Sequence, residues 1–221
     1  MSDLPARKDD VNKKPKQLTL YLPTWGGKRK HAGRKPNGAR ARVSHGAREA
    51  IRPGWAAHVT LRVRDHVWNL RSRRCFSAIE GALVAAKGRF GMRVVHFSVQ
   101  GNHIHFVIEV PDKRALARGM RGLTVRIAKA LNRVMRRSGP VFADHYHSRA
   151  VRTPTEAARV LSYVLANYAH HAQRWGEQVP GDDPDPFSST VRSGADPRPG
   201  ACEPLTWLLS VGWRKGVLSA A

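Results

Sequence analysis

The sequence predicts an α+β fold in which a four-stranded antiparallel sheet carries helices on one face. Three segments alternate apolar and polar residues with the period of two that is typical of strands, and a fourth extended segment joins them. Three further segments place apolar residues three and four positions apart, as amphipathic helices do. Along the chain these segments follow the order strand, helix, strand, strand, helix, strand, helix.

The first strand and the first helix open the predicted domain. Residues 58–64 place Val59, Leu61 and Val63 on one face of a strand and polar residues on the other. The next segment has an apolar stripe at helical spacing that runs as far as Phe90. We expect Gly91 to end this helix, because glycine commonly follows the last helical residue.

A β-hairpin is predicted over residues 92–110. In its first strand, Val95, Phe97 and Val99 are expected on the apolar face, and the opposite face should carry Val94, His96, Ser98 and Gln100. The Gly-Asn pair that follows residue 100 supplies a tight turn, so the next strand should return beside the first. In that returning strand, His103 and His105 face the side opposite to the apolar residues.

The second helix, the fourth strand and the third helix complete the pattern. Asp112 is expected to cap the second helix, which should run to about residue 137. The side of this helix away from its apolar stripe is nearly all basic, which favours contact with phosphate. Residues 146–152 can form the fourth strand, and Thr153 and Pro154 can open a third helix that continues to about Trp175.

The first six elements match the split βαβ, or ferredoxin-like, arrangement. In this arrangement one sheet face is apolar and should take the helices. The other face carries several histidines and further polar side chains. We therefore expect that second face to hold a ligand, and not a second layer of core.

Composition limits the function classes. The 221 residues carry a formal net charge of +23, which points to a polyanionic partner. No apolar run approaches the length of a membrane span, so a membrane partner is not expected. Cys75 and Cys202 are far apart and suggest neither a zinc module nor a disulfide framework. A cytoplasmic, nucleoid-associated location is the simplest expectation.

Three regions are predicted from changes in composition. Residues 1–54 form a basic, flexible arm, residues 55–175 form the folded domain, and residues 176–221 form a Pro-, Gly- and Asp-rich linker with a short Trp-containing tail. Within the arm, Arg34 and Lys35 lie in a Gly-Arg-Lys-Pro sequence that resembles an AT-hook. A generic phosphate-binding tail is the alternative interpretation.

A candidate reaction site combines the hairpin with the third helix. His103 and His105 project from one strand face and can converge on one divalent metal ion, with positions left open for other ligands. Tyr163 and Asn167 are neighbours one helical turn apart. Beside a metal ion, Tyr163 can act as a nucleophile, and Asn167 can add an oxygen ligand.

Other residues compete for these roles. Tyr146 lies between two histidines and is assigned a structural or DNA-contacting role. His96, Gln100 and Glu109 are alternative third ligands. His96 and Gln100 could equally form hydrogen bonds to the metal ligands without contacting the ion. Magnesium prefers all-oxygen sites, so two imidazoles make manganese at least as suitable.

These motifs resemble those of a known superfamily. The sequence His103-Ile104-His105 resembles the His-hydrophobic-His motif of HUH endonucleases, and residues 163–167 resemble the Tyr-x-x-x-Asn helix of single-tyrosine HUH transposases. Among these, the IS200-like and REP-associated tyrosine transposases are most similar. The resemblance spans about residues 55–171. Relatives often have proline after the asparagine, whereas this chain has Tyr168, for which we expect a change in packing and not in chemistry.

The resemblance implies a function and a set of site residues. It implies a metal-dependent endonuclease and strand transferase on single-stranded, hairpin-associated DNA, with Mg²⁺ or Mn²⁺ as cofactor. Tyr163 would be the nucleophile and form a 5′-phosphotyrosine intermediate, and His103, His105 and Asn167 would be the metal ligands. The alternative function is a catalytically silent, domesticated DNA- or RNA-binding protein. A homodimer is possible in either case.

The predicted DNA-contacting residues are all basic. They come from the arm, the first strand, the second helix and the region around the fourth strand, and they are Arg34, Lys35, Arg62, Arg64, Arg114, Arg118, Arg121, Arg149 and Arg152.

Overall fold

The computed structural model describes residues 48–166, 184–190 and 198–218, which all belong to one compact unit of the chain. The strands and helices in these ranges are β1 (Ala56–Arg62), α1 (Arg73–Ala86), β2 (Arg93–Val99), β3 (His103–Glu109), α2 (Lys113–Val134), β4 (His147–Val151), α3 (Pro154–Leu165) and α4 (Trp213–Leu218). A 3₁₀ turn at Arg89–Gly91 follows α1, and a π-helical turn at Leu208–Gly212 precedes α4. Among the described residues, no helix is both long and apolar enough to cross a membrane.

The four strands form one antiparallel sheet in the order β2-β3-β1-β4. Two of the helix starts follow the sequence prediction. The Asp112 side chain accepts from the Ala115 N–H at 2.7 Å and caps α2. Thr153 caps α3 with proline at the first turn. The predicted α+β, split βαβ fold is therefore confirmed.

One face of the sheet, here called the core face, packs against α1 and α2. Phe97, Leu61, Ile104 and Phe106 from the strands are fully buried there. Burying such side chains contributes roughly 1.5–3 kcal/mol each, so this layer supplies most of the driving force for the fold.

Two local predictions on the core face are wrong. Helix α1 ends at Ala86 because Gly88 takes a left-handed conformation (φ 72°). Phe90 is consequently 48% exposed, outside the helix stripe. In β2, an irregularity in the pairing between Val94 and His96 puts Val94 in the main core, whereas Val95 packs on the opposite face with Val107.

The opposite face, here called the histidine face, is covered over only part of its area. Val95, Val107 and Val151 from the sheet form a second, smaller core with residues of α3 and of the π-helical turn. The expectation that this face carries no second core layer is therefore wrong for that part. The remaining part carries His58, Thr60, His103 and His105, and it positions the candidate site.

The predicted linker and tail contribute to the fold where they are described. Residues 184–190 run beside β2, where the Val99 N–H donates to a backbone carbonyl of this segment at 2.9 Å. Asp185 pairs with the Arg71 guanidinium at 2.8 Å, and both side chains are largely buried. The limits of the three predicted regions stay predictions, although Ile51 from the predicted arm is already buried in the main core.

Candidate active site

The pairing of β1 with β3 assembles the candidate site. In this antiparallel register, Thr60 lies opposite His105, and Arg62 lies opposite His103. The rings of His103 and His105 are 4.8 Å apart between centroids and nearly perpendicular. The alternation of β3 therefore places both imidazoles on the histidine face, as the sequence predicts.

His103 is held through one ring nitrogen. Its Nδ1 lies 2.8 Å from Oδ1 of Asn102, the residue before it in the hairpin turn. An amide oxygen only accepts hydrogen bonds, so Nδ1 is the donor. The lone pair of His103 is then on Nε2, which is the form that binds a metal ion.

His105 is buried, with 3% of its surface exposed. Its Nδ1 lies 3.1 Å from the Thr60 hydroxyl and 3.2 Å from Nε2 of His58. Both contacts come from β1, the neighbouring strand. The other nitrogen of the ring, Nε2, is the one that these contacts leave for metal binding.

Tyr163 lies directly beside the histidines. Its ring is 5.2 Å from that of His105 and 6.0 Å from that of His58, measured between centroids, with an edge-to-face arrangement in both pairs. The packing of Leu161 and Val164 into the second core turns this side of α3 toward the sheet. Tyr163 nevertheless stays 48% exposed, so a substrate can reach it.

Asn167, the predicted third ligand, lies outside the described residues, which reach Ala166 at the end of α3. Two imidazole nitrogens, each with its other nitrogen hydrogen-bonded, fit a divalent cation of the manganese type. Among the described residues, no three His, Cys, Asp or Glu side chains form a metal-binding cluster. The predicted set does not require one, since its third member is an amide.

His58 was not predicted as a site residue, yet it lies between Tyr163 and His105. Burial lowers its pKa from 6.5 to about 4, and the positive charges of His147 and Arg149 act in the same direction. The ring is therefore neutral at physiological pH. The signal that could have found it is its place on β1, on the same face and two residues from the Thr60 that faces His105.

The alternative ligands have other partners. Glu109 is buried and accepts from the backbone N–H groups of Leu205 and Thr206, at 3.0 and 2.8 Å, and from the Thr206 hydroxyl. Gln100 donates to the Ser98 hydroxyl at 2.8 Å. His96 contacts Ser189 at 3.3 Å, and burial lowers its pKa.

Tyr146 is placed on the other side of the sheet. It belongs to the main core, is 8% exposed, and has the Arg48 guanidinium 4.0 Å above its ring. Burial raises the pKa of its hydroxyl, against the opposing effect of Arg48. Tyr146 therefore does not meet His103 or His105.

The predicted DNA-contacting arginines divide between the two faces. Arg62 and Arg149 lie opposite His103 and His58, respectively, in the strand pairs, and so project on the histidine face. Arg118 and Arg121 from α2 line a cavity of about 530 Å³ on the core-face side, together with Arg48, which sequence reasoning missed.

The other predicted arginines differ in their surroundings. Arg64 donates to the Phe142 carbonyl, Arg152 pairs with Glu49, and Arg114 is exposed at the start of α2. Arg34 and Lys35 lie outside the described residues.

Comparison with known proteins finds solved structures that are similar to part of this chain, and two of them are described here. One is a REP-associated tyrosine transposase bound to a REP hairpin, with a TM-score of 0.49 and 15% identity, covering 58% of this chain and 74% of that chain. The other is a presumed transposase from Deinococcus radiodurans R1, with a TM-score of 0.38 and 13% identity, covering 56% of this chain and 95% of that chain.

No family model and no curated protein matches the sequence at a significant level. At these TM-scores and identities, neither structural similarity decides the fold or the function. Both rest on the elements and contacts described above.

Proposed function

We propose that this protein is a transposase-like DNA strand transferase that cleaves and rejoins single-stranded DNA through Tyr163. The observation that carries the proposal is the position of the Tyr163 ring, 5.2 Å from His105 in the same chain. The strand that bears the two histidines meets the helix that bears Tyr163 on the histidine face, where the tyrosine is 48% exposed and His105 is buried. The two elements are nearly 60 residues apart in the sequence.

In the proposed reaction, the Tyr163 hydroxyl oxygen attacks a phosphorus atom of the DNA backbone. The new bond is a 5′-phosphotyrosine linkage, and the bond to the 3′-oxygen of the preceding nucleotide breaks. The phenolic proton is released to solvent, and the leaving 3′-oxygen takes up a proton to become a 3′-hydroxyl. Attack by a free 3′-hydroxyl on the linkage reverses these steps and joins two strands. The energy of the phosphodiester is conserved in the protein–DNA bond.

Other residues around Tyr163 would bind the metal ion and the DNA backbone. His103 and His105 would hold a divalent cation through their Nε2 atoms, with Asn167 as the proposed third ligand. Such an ion supplies polarisation of the scissile phosphate and offsets charge on the leaving oxygen. Arg62 and Arg149 add positive charge on the same face, where they can hold the DNA backbone.

The chain's net charge of +23 supports a nucleic acid as the partner. Three described basic residues lie on the far side of the sheet, around the cavity lined by Arg118 and Arg121. DNA contacts are therefore proposed on both sides of the domain, with chemistry on the histidine face alone.

The test is covalent capture of DNA. The full chain is incubated with end-labelled single-stranded hairpins in Mg²⁺ or Mn²⁺ and resolved on a denaturing gel, and the modified peptide is mapped by mass spectrometry. Wild type and Tyr146→Phe should form the adduct at similar levels, and Tyr163→Phe should form none while still binding DNA. Phenylalanine removes only the attacking oxygen, so packing is retained.

Two results would contradict the proposal. One is an adduct that persists in Tyr163→Phe or maps to the Tyr146 peptide, which would assign a different nucleophile. The other is the absence of an adduct in wild type with every hairpin and both metal ions. Retained DNA binding in that case would favour a catalytically silent DNA-binding protein.

A further inference from the structure

We propose that His58 and Thr60 act together as positioning residues that hold His105 in the tautomer whose Nε2 can bind a metal ion. Neither residue is assigned a role by the proposed function, on whose metal site this inference rests. The inference concerns the state of one imidazole in the metal-free protein, so it can be measured without any reaction on DNA.

The geometry gives His105 two partners at the same nitrogen. Its Nδ1 lies 3.1 Å from the Thr60 hydroxyl oxygen and 3.2 Å from Nε2 of His58. The hydroxyl oxygen can accept a hydrogen bond, and so can the unprotonated nitrogen of a neutral imidazole. A proton on Nδ1 of His105 therefore has two acceptors within reach.

Burial makes this choice of tautomer matter. His105 is 3% exposed, so water has little access to its ring nitrogens and cannot readily replace a missing hydrogen bond. A buried polar group that loses its hydrogen bond destabilises the folded state. With the proton on Nδ1, the N–H of His105 is paired with an acceptor on β1, and the lone pair lies on Nε2.

The same geometry argues against His58 as a metal ligand in its own right. Its Nε2 is turned toward Nδ1 of His105, and the two rings are stacked at 26° with centroids 5.3 Å apart. The lone pairs of Nδ1 and Nε2 point to different sides of an imidazole ring. An ion on Nε2 of His105 would therefore lie on the side of that ring away from this contact.

His103 shows the corresponding arrangement by different means. Asn102 contacts its Nδ1 at 2.8 Å from the adjacent position in the chain. His105 instead depends on β1, through Thr60 directly opposite it and His58 two residues earlier. Both candidate ligands are thus tied through Nδ1, which is the usual way in which a second layer of residues orients a metal-binding histidine.

The first measurement is ring-nitrogen NMR on the labelled, metal-free full chain at neutral pH. His105 should be the Nδ1–H tautomer in wild type, and it should shift toward the Nε2–H form in Thr60→Val with His58→Phe. Valine keeps the shape of threonine without the hydroxyl, and phenylalanine keeps an aromatic ring without nitrogen. An Nε2–H tautomer in the wild-type protein would overturn the proposal.

The second measurement is Mn²⁺ binding without DNA, monitored through the electron paramagnetic resonance signal of the free ion. The double variant should bind about 10–100-fold more weakly, as is typical when such supporting residues are removed. His58→Gln should recover part of the affinity, because the glutamine carbonyl can accept from Nδ1. The matched control is His147→Phe, which removes an exposed histidine opposite Thr60 on β4 and should leave binding unchanged.

Other outcomes separate this inference from the proposed function. Unchanged Mn²⁺ affinity in the double variant would overturn the inference, and so would a loss in His58→Phe as complete as in His105→Ala, which would make His58 a ligand. If the double variant fails to fold, Thr60→Val alone gives both readouts. A wild-type protein with the expected tautomer and metal affinity that forms no DNA adduct would refute only the proposed function.

Discussion

The two faces of the sheet are built from the same four strands and differ in what covers them. The core face is closed by α1 and α2 over a large apolar layer. The histidine face is closed at one part by a small core under α3 and α4 and is polar over the rest. Each face also has one tyrosine near histidines: Tyr146 has histidines on both sides in the sequence, and Tyr163 has histidines beside it in space.

These two tyrosines show what the difference means. Tyr146 is 8% exposed, and its hydroxyl is buried with no hydrogen-bond partner among the described residues. Tyr163 is 48% exposed and lies against His105 and His58. Histidine neighbours in the sequence therefore say little about reactivity, whereas the sheet face and the exposure of the hydroxyl decide which tyrosine a substrate can reach.

The largest expected effect comes from the histidine face itself. His105→Ala should abolish the proposed metal-dependent cleavage while leaving most DNA affinity, because the proposed phosphate contacts come mainly from arginines elsewhere. His147→Ala on the same face is the matched control and should cleave normally. Single-turnover cleavage with labelled hairpin DNA measures both. Full activity of His105→Ala, or of wild type in excess chelator, would show that the metal site is misassigned.

A second comparison sets the basic residues of the two faces against each other. Arg62→Ala with Arg149→Ala, and Arg118→Ala with Arg121→Ala, should each weaken DNA binding and lower the slope of log affinity against log salt by about 1.5. Only the first pair should also slow cleavage by the saturated complex, because only it shares a face with Tyr163. Equal slowing by both pairs would remove this distinction between the faces.

The cover over the histidine face is tested at Gly216. A Cβ at this position in α4 would overlap the backbone of Pro154 at the start of α3. Gly216→Ala should therefore lower the free energy of unfolding by about 2 kcal/mol, within the range seen for overpacking. Gly81→Ala in α1 meets no atom within 4 Å and should raise it by about 0.5–1 kcal/mol. Urea unfolding monitored by circular dichroism compares the two, and a neutral Gly216→Ala would show that α4 does not hold α3.

The smallest effect concerns the buried hydroxyl on the core face. Tyr146→Phe removes an oxygen that has no partner among the described residues, so it should stabilise the protein by about 1 kcal/mol. Tyr163→Phe should be nearly neutral because its hydroxyl is on an exposed side chain. Thermal unfolding of the two variants makes the comparison. A destabilised Tyr146→Phe would mean that the hydroxyl has a partner after all.

Strand alternation and helix caps carried most of the fold in the sequence. The faces of β3, the caps Asp112 and Thr153, and the hairpin turn were predictable because each depends on neighbouring residues. The misplacement of Val95 had a different origin. A single irregularity in pairing reverses the alternation, and the residues flanking it carry no local signal.

The arrangement of the candidate site was predictable where it depends on motifs, and it was not predictable where it depends on which strands pair. The approach of Tyr163 to His105 follows from the fold order together with the two motifs. The roles of His58 and Glu109 depend on which strands become neighbours and on where the chain returns after residue 200. Glu109 has the spacing of a candidate ligand, yet its oxygens bind backbone N–H groups of a segment about 95 residues away.

The outer edge of β2, which no other strand of the sheet covers, affects how this protein behaves in concentrated solution. Backbone groups along this strand are already occupied, by Phe187 and Ser189 at Val99 and Phe97, and by Cys202 at Val94. An uncovered outer strand offers a template on which another chain can add a strand and begin to aggregate. Here the chain supplies that extra partner from its own later residues. Loss of these strand contacts should therefore cost solubility before it costs secondary structure.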